Sequence, residues 1–183
     1  MLSHLILSLT HCDIMKQLSF LEHIETSSNE CVSLAGAHWK LFIDGASRNN
    51  PGPAGAGIFI MKEHVPKIKK GFYLGLKTNN QAEYYALLLG LFLVQPMLCP
   101  RDTVLIVSDS QLLVRQLQGI YRVKHADLIP LHRVARHVMS SMNVDVMHVL
   151  REDNKIADKL ANQGIDQKNE IPQDFLTWQK QYA

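Results

Sequence analysis

The sequence predicts an α/β domain: a five-stranded mixed sheet, three strands antiparallel and two parallel, with helices on both faces. Three observations carry this expectation. Three strand-like runs follow one another from Trp39 to Leu76 with hairpin-length connections. Helical and strand-like segments then alternate from Asn80 to Gln163. Finally, Val104-Leu105-Ile106-Val107 is continuously apolar, as in a strand covered on both faces.

The elements follow in order. Trp39 to Asp44 reads as a strand, and Arg48 to Gly55 is a turn of Asn, Pro and Gly. Ala56 to Met61 and Lys67 to Leu76 complete the antiparallel set. Asn80 to Val94 is a helix started by Thr78 or Asn79 and stopped by Pro96. Thr103 to Ser108 is a buried strand that leads into a helix from Ser110 to Leu117. Leu128 to Met142 has apolar residues at helical spacing, with Pro130 in its first turn, where proline is tolerated. Val144 to Val149 alternates as the fifth strand, and Asn154 to Gln163 is the final helix. The expected organisation is an N-terminal extension over 1–37, a main folded domain over 38–165 and a tail over 166–183. The extension carries one candidate helix at Ile14–Ile24. The tail is polar, is broken by Pro172, and is expected to pack through Phe175 and Trp178.

The apolar fraction is 46% and the charged fraction 20%, as in ordinary globular chains, and no apolar run approaches the roughly 20 residues of a membrane span. Met1 to Thr10 is apolar without a basic start or a small-residue cleavage site, which argues against a secretory signal. Cys12, Cys31 and Cys99 form no CxxC pair and are odd in number, which fits a reducing, cytoplasmic setting. The net charge of +2 hides a division. Residues 1–37 carry one lysine against four acids, so residues 38–183 carry 18 basic groups against 13 acidic ones. A basic surround fits a polyanionic substrate, though it fits a solvated surface equally well.

Four carboxylates stand at structural punctuation marks. Asp44 ends the first strand, Glu83 lies in the first turn of a helix, Asp109 ends the buried strand, and Asp158 lies in the final helix. Taken singly, Asp44 before Gly45 or Asp109 before Ser110 is ordinary turn and cap chemistry. Together, acids placed at strand ends and helix starts can converge, and converged acids repel unless a metal holds them. Two Mg²⁺ ions bound this way would supply a nucleophilic water and neutralise charge in phosphodiester hydrolysis.

The arrangement closely resembles the type 1 ribonuclease H family. The matching stretches are Phe42-Ile43-Asp44-Gly45-Ala46-Ser47 with Asn50-Pro51-Gly52-Pro53-Ala54-Gly55, Thr78-Asn79-Asn80-Gln81-Ala82-Glu83, Ser108-Asp109-Ser110-Gln111, and Arg151-Glu152 followed by Asn154 and Asp158. The resemblance implies a ribonuclease H-like fold and two-metal endonucleolytic cleavage of the RNA strand of RNA–DNA hybrids, leaving 5′-phosphate and 3′-hydroxyl ends. It further implies Asp44 bridging two Mg²⁺ ions, with Mn²⁺ able to substitute. Asp158 would serve the nucleophile-side ion and Glu83 and Asp109 the leaving-group side. Glu83 would also accept a hydrogen bond from the ribose 2′-hydroxyl. Ala46, Ser47, Arg48, Asn50, Asn79, Asn80 and Gln111 fall where the family touches ribose and base edges, and Thr78 where it grips a DNA phosphate.

Two departures stand out. Many family members carry a loop histidine before the last acid, whereas His148 falls inside the last strand and is expected to pack in or beside the sheet. Arg151 is the candidate loop-tip group, as in a compact, archaeal-like branch. The bacterial basic protrusion is also missing, since Gly119 to Asp127 offers only Arg122, Lys124 and His125. Substrate grip would then fall to Lys67, Lys69, Lys70 and Lys77, unless these form a solvated strand face. The partners implied are a hybrid substrate, no membrane and no obligate protein, with the chain a monomer. Competing readings are a nuclease that also cuts double-stranded RNA and a catalytically idle hybrid-binding domain.

Overall fold

The computed structural model describes residues 35–182, so the helix expected at Ile14–Ile24 lies outside the described residues. Strands β1 (His38–Ser47), β2 (Gly52–Lys62) and β3 (Val65–Lys77) form an antiparallel meander. Strands β4 (Thr103–Ser108) and β5 (Asn143–His148) add in parallel beside β1, giving the order β3-β2-β1-β4-β5. This is the mixed sheet the sequence predicts. β4 is parallel to both neighbours and is reached on each side through helices, as parallel pairing requires.

Helix α1 (Asn79–Val94) is apolar on almost every side because it is enclosed. It packs on β1 and β2 and against α3 (Leu128–Ser140). Leu41 and Ile43, fully buried, point to this face. Between β4 and α3 runs the short helix α2 (Gln111–Leu117). The opposite face is crossed by α4 (Lys155–Gln167), which lies on β1, β2 and β3. A Cβ on Gly57 would come within 1.9 Å of the Ala157 carbonyl, so only glycine lets this helix lie so close to the strand.

The structure departs from the sequence expectations in several places. α4 runs past Gly164 to Gln167, because Gly164 abuts the Phe72 backbone as a packing residue and does not end the helix. The tail, to which the sequence assigned no regular element, forms α5 (Phe175–Gln181). Phe175 is fully buried, and its ring meets Phe92 edge-on and stacks with Trp178. Cys99 is disulfide-bonded, which departs from the expectation of a reducing setting. Among the described residues no helix is long and apolar enough to cross a membrane.

Candidate active site

β1 and β4 run parallel, so their C-terminal ends lie side by side and carry Asp44 and Asp109 to the same edge of the sheet. Asp44 alternates with Ile43 and so projects toward the face covered by α4, whose first turn bears Asp158. Glu83 approaches from the other face. It lies in the first turns of α1, a helix fixed by a capping box in which the Thr78 hydroxyl accepts from the Gln81 N–H at 3.3 Å and the Gln81 side-chain oxygen accepts from the Thr78 N–H at 2.9 Å. Gly45 permits the approach, since a Cβ there would sit 2.1 Å from the Glu83 nitrogen. The Gly45 N–H donates to Glu83 Oε2 at 3.1 Å.

All four carboxylates line one open cleft of about 380 Å³, together with Ala46, Ser47, Asn79 and Arg151. Asp44 and Glu83 are buried, Asp109 is half-buried, and Asp158 is partly exposed. Burial, followed by the charges of Asp109 and Asp158, pushes the Asp44 carboxyl up to about 7, with Arg151 opposing. Burial, then Asp44 and Asp109, holds Glu83 well above the ordinary carboxylate range, against the pull of the Gly45 N–H and Arg151.

Each outer acid has a partner. Arg151 Nη2 donates to Asp158 Oδ1 at 2.6 Å. Asn154 Nδ2 donates both to Asp109 Oδ1 at 2.8 Å and to the Ile43 carbonyl at 2.9 Å. Among the described residues, no three acids, histidines or cysteines are grouped closely enough to hold a metal ion as they stand. The donor set nevertheless fits hard divalent ions. It consists of carboxylate oxygens in one cleft, two of them buried and poorly tolerated as free anions, a balance that a bound cation reverses.

The remaining expected contacts are spread around this cleft. Asn50 Oδ1 accepts from the Asn79 N–H at 2.9 Å and ties the β1–β2 turn to the start of α1. Arg48 is held by Asp166 at 2.6 Å. Asn80 and Gln111 are exposed at the starts of α1 and α2. Lys69 lies over the Phe59 ring and Lys77 over the Tyr85 ring, each at 5.3 Å, while Lys67 and Lys70 are exposed on β3.

His148 is not packed in or beside the sheet as expected. It is exposed at the end of β5, and its Nε2 lies 3.2 Å from the Asp109 carbonyl. β5 is the edge strand of the sheet and His148 is its last residue, which leaves the ring exposed. Sequence reasoning gave Asn154 no role of its own. Its position four residues before Asp158 was the available signal.

A family model described as reverse transcriptase-like matches residues 42–164. A bifunctional protein of Mycobacterium tuberculosis is 37% identical over 126 residues, 67% of this chain and 34% of that protein. This chain therefore spans about a third of the length of that relative. Ribonuclease HI of Halobacterium salinarum is 35% identical, covering 72% of this chain and 66% of the relative. Among solved structures, LC11-RNase H1 in complex with an RNA/DNA hybrid is 36% identical with a TM-score of 0.67, covering 70% of this chain and 97% of that one. With its sheet order, its acid-lined cleft and these matches taken together, the chain belongs to the type 1 ribonuclease H family.

Proposed function

We propose that this chain is a divalent-metal-dependent endoribonuclease that hydrolyses the RNA strand of RNA–DNA hybrids, leaving 5′-phosphate and 3′-hydroxyl ends. The observation that carries the reading is the convergence of Asp44, Glu83, Asp109 and Asp158 on one cleft, two of them buried at an evident electrostatic cost. A binding module gains nothing from such a cluster, whereas a phosphodiesterase needs it. The solved relative bound to an RNA/DNA hybrid supports the choice of substrate.

In this reading Asp44, flanked by Asp109 and Asp158, would help hold two Mg²⁺ ions as a shared ligand, with Mn²⁺ able to substitute. Asp158 would hold the ion on the side of the attacking water, and Glu83 and Asp109 the ion on the leaving-group side. When bound, the ions lower the proton affinity of water and neutralise charge on the scissile phosphate. The chain's own residues position the duplex. Ala46, Ser47 and Asn79 line the cleft and present backbone and amide groups to the minor groove, where ribose hydroxyls distinguish RNA from DNA. Asn50, coupled to Asn79, holds the turn that carries these contacts. Arg48, Asn80 and Gln111 extend the contact surface around the cleft. Thr78, at the N-terminus of α1, meets a phosphate of the DNA strand where the helix favours an anion. Arg151, at the loop tip, offers a planar cation to phosphate. The chain acts as a cytoplasmic monomer with no obligate protein partner.

One cleavage panel tests this reading: hybrid, duplex RNA and duplex DNA, each with chelator, Mg²⁺ or Mn²⁺, with the product ends mapped. Hybrid cleavage only with metal is the expected result. Equal cutting of duplex RNA would move the chain to a broader nuclease class. Hybrid binding without cleavage under every condition would make it an idle binding domain.

A further inference from the structure

Arg151 is the one cationic side chain among the residues that line the acid cleft. It stands on the short 3₁₀ turn Arg151–Asp153, just ahead of α4, and pairs with Asp158 at 2.6 Å. The pair is not sealed. The arginine side chain is 78% exposed and that of Asp158 28%. On its outer side Arg151 also lines an adjoining hollow of about 600 Å³ with Leu150, Glu152, Lys155 and Asp158. A displaced guanidinium thus has open space to move into and Glu152 to meet. The Asp158 oxygen that Arg151 occupies is one that a divalent ion in this cleft would need, since such ions take hard carboxylate oxygens.

We propose that Arg151 is a resident counter-cation: it pairs with Asp158 until a divalent ion displaces it, and the Arg151 turn thereby sets the affinity of the cleft for metal. The inference rests on reading the cleft as a divalent-metal site. Its physical content is competition. The guanidinium offsets the mutual repulsion of the acids when no ion is bound, and its charge then opposes the entry of one. Substituting Arg151 should leave the metal-free fold intact, because an exposed pair contributes little to stability, yet it should strengthen ion binding.

The test is Mn²⁺ titration of the full chain without nucleic acid, by calorimetry and by water-proton relaxation, for the wild type, Arg151→Gln and Arg151→Lys. Arg151→Gln should bind Mn²⁺ roughly three- to tenfold more tightly than the wild type. Arg151→Lys, which keeps the charge, should stay within about twofold of the wild type. Unchanged or weaker binding in Arg151→Gln would overturn the counter-cation role, as would a gain in Arg151→Lys equal to that in Arg151→Gln. A wild-type chain that binds no Mn²⁺ would overturn the metal-site reading itself, a separate and distinguishable failure.

Discussion

Asn154 Nδ2 donates to Asp109 Oδ1 at 2.8 Å while also donating to the Ile43 carbonyl at 2.9 Å, so one buried amide ties the acid at the end of β4 to the backbone of β1. Its Oδ1 is buried without a protein partner. The amide is therefore a bracket that fixes the aim of Asp109 relative to Asp44. Asn154→Ala should lose about 1–3 kcal/mol of stability and reduce turnover more than substrate affinity. Asn154→Asp should be worse on both counts, because it removes the donor and adds a like charge beside Asp109. Urea melts and steady-state kinetics check this, and an Asp variant at or above the Ala variant would contradict the bracket.

Asp44 makes the metal-free protein sensitive to pH. Its carboxyl is raised from an ordinary 3.8 to about 7 in the folded chain. Between those values the folded chain keeps a proton that the unfolded chain has released, so stability in chelator should fall as pH rises from about 4 to about 7. Asp44→Asn has no proton to give up. It should show a flatter profile, gain about 1–3 kcal/mol at neutral pH, and lose hybrid cleavage. Melts in chelator across this range, with and without Mg²⁺, check the sign. A wild-type protein that gains stability over the same interval would refute the argument.

Arg151 and His148 should separate in kinetics. Arg151→Ala should lower turnover on the order of tenfold with little change in melting temperature, since its pair with Asp158 is exposed. His148→Ala should change the melting temperature little as well, because the ring is exposed and, among the described residues, its hydrogen-bond contact is with the Asp109 carbonyl at 3.2 Å. This reverses the expectation of a packed strand histidine. A large loss of stability in His148→Ala, or a turnover defect exceeding that of Arg151→Ala, would return the histidine to importance.

Gly45 is irreplaceable for a steric reason. A Cβ at this position would lie 2.1 Å from the Glu83 nitrogen and 2.3 Å from the Ala82 carbonyl carbon, both backbone atoms at the start of α1. Gly45→Ala must push the helix away from β1, at a cost of about 3 kcal/mol, and carry Glu83 out of the cleft. Denaturant unfolding with parallel Mn²⁺ titration measures both effects. An alanine variant with normal stability and metal affinity would show that the helix start can yield.

The sequence by itself determined the mixed-sheet class, the succession of strands and helices along the chain, and the four candidate carboxylates. Each rests on a local signal: strand-like runs with turn residues between them in β1 to β3, a continuous apolar run in β4, alternation in β5, a helix start at Thr78 or Asn79 before Glu83, and acids set where these elements begin or end. Tertiary structure decided what depends on contacts distant in sequence. The burial that raises the proton affinity of Asp44 comes from elements packed around it, and Asn154 reaches Asp109 across 45 positions of chain. His148 is exposed because β5 lies at the sheet edge, and α5 forms because Phe175 and Trp178 find the ring of Phe92. Periodicity and caps act within a few residues and are written in the chain, whereas desolvation, charge coupling and edge position exist only once separated segments meet.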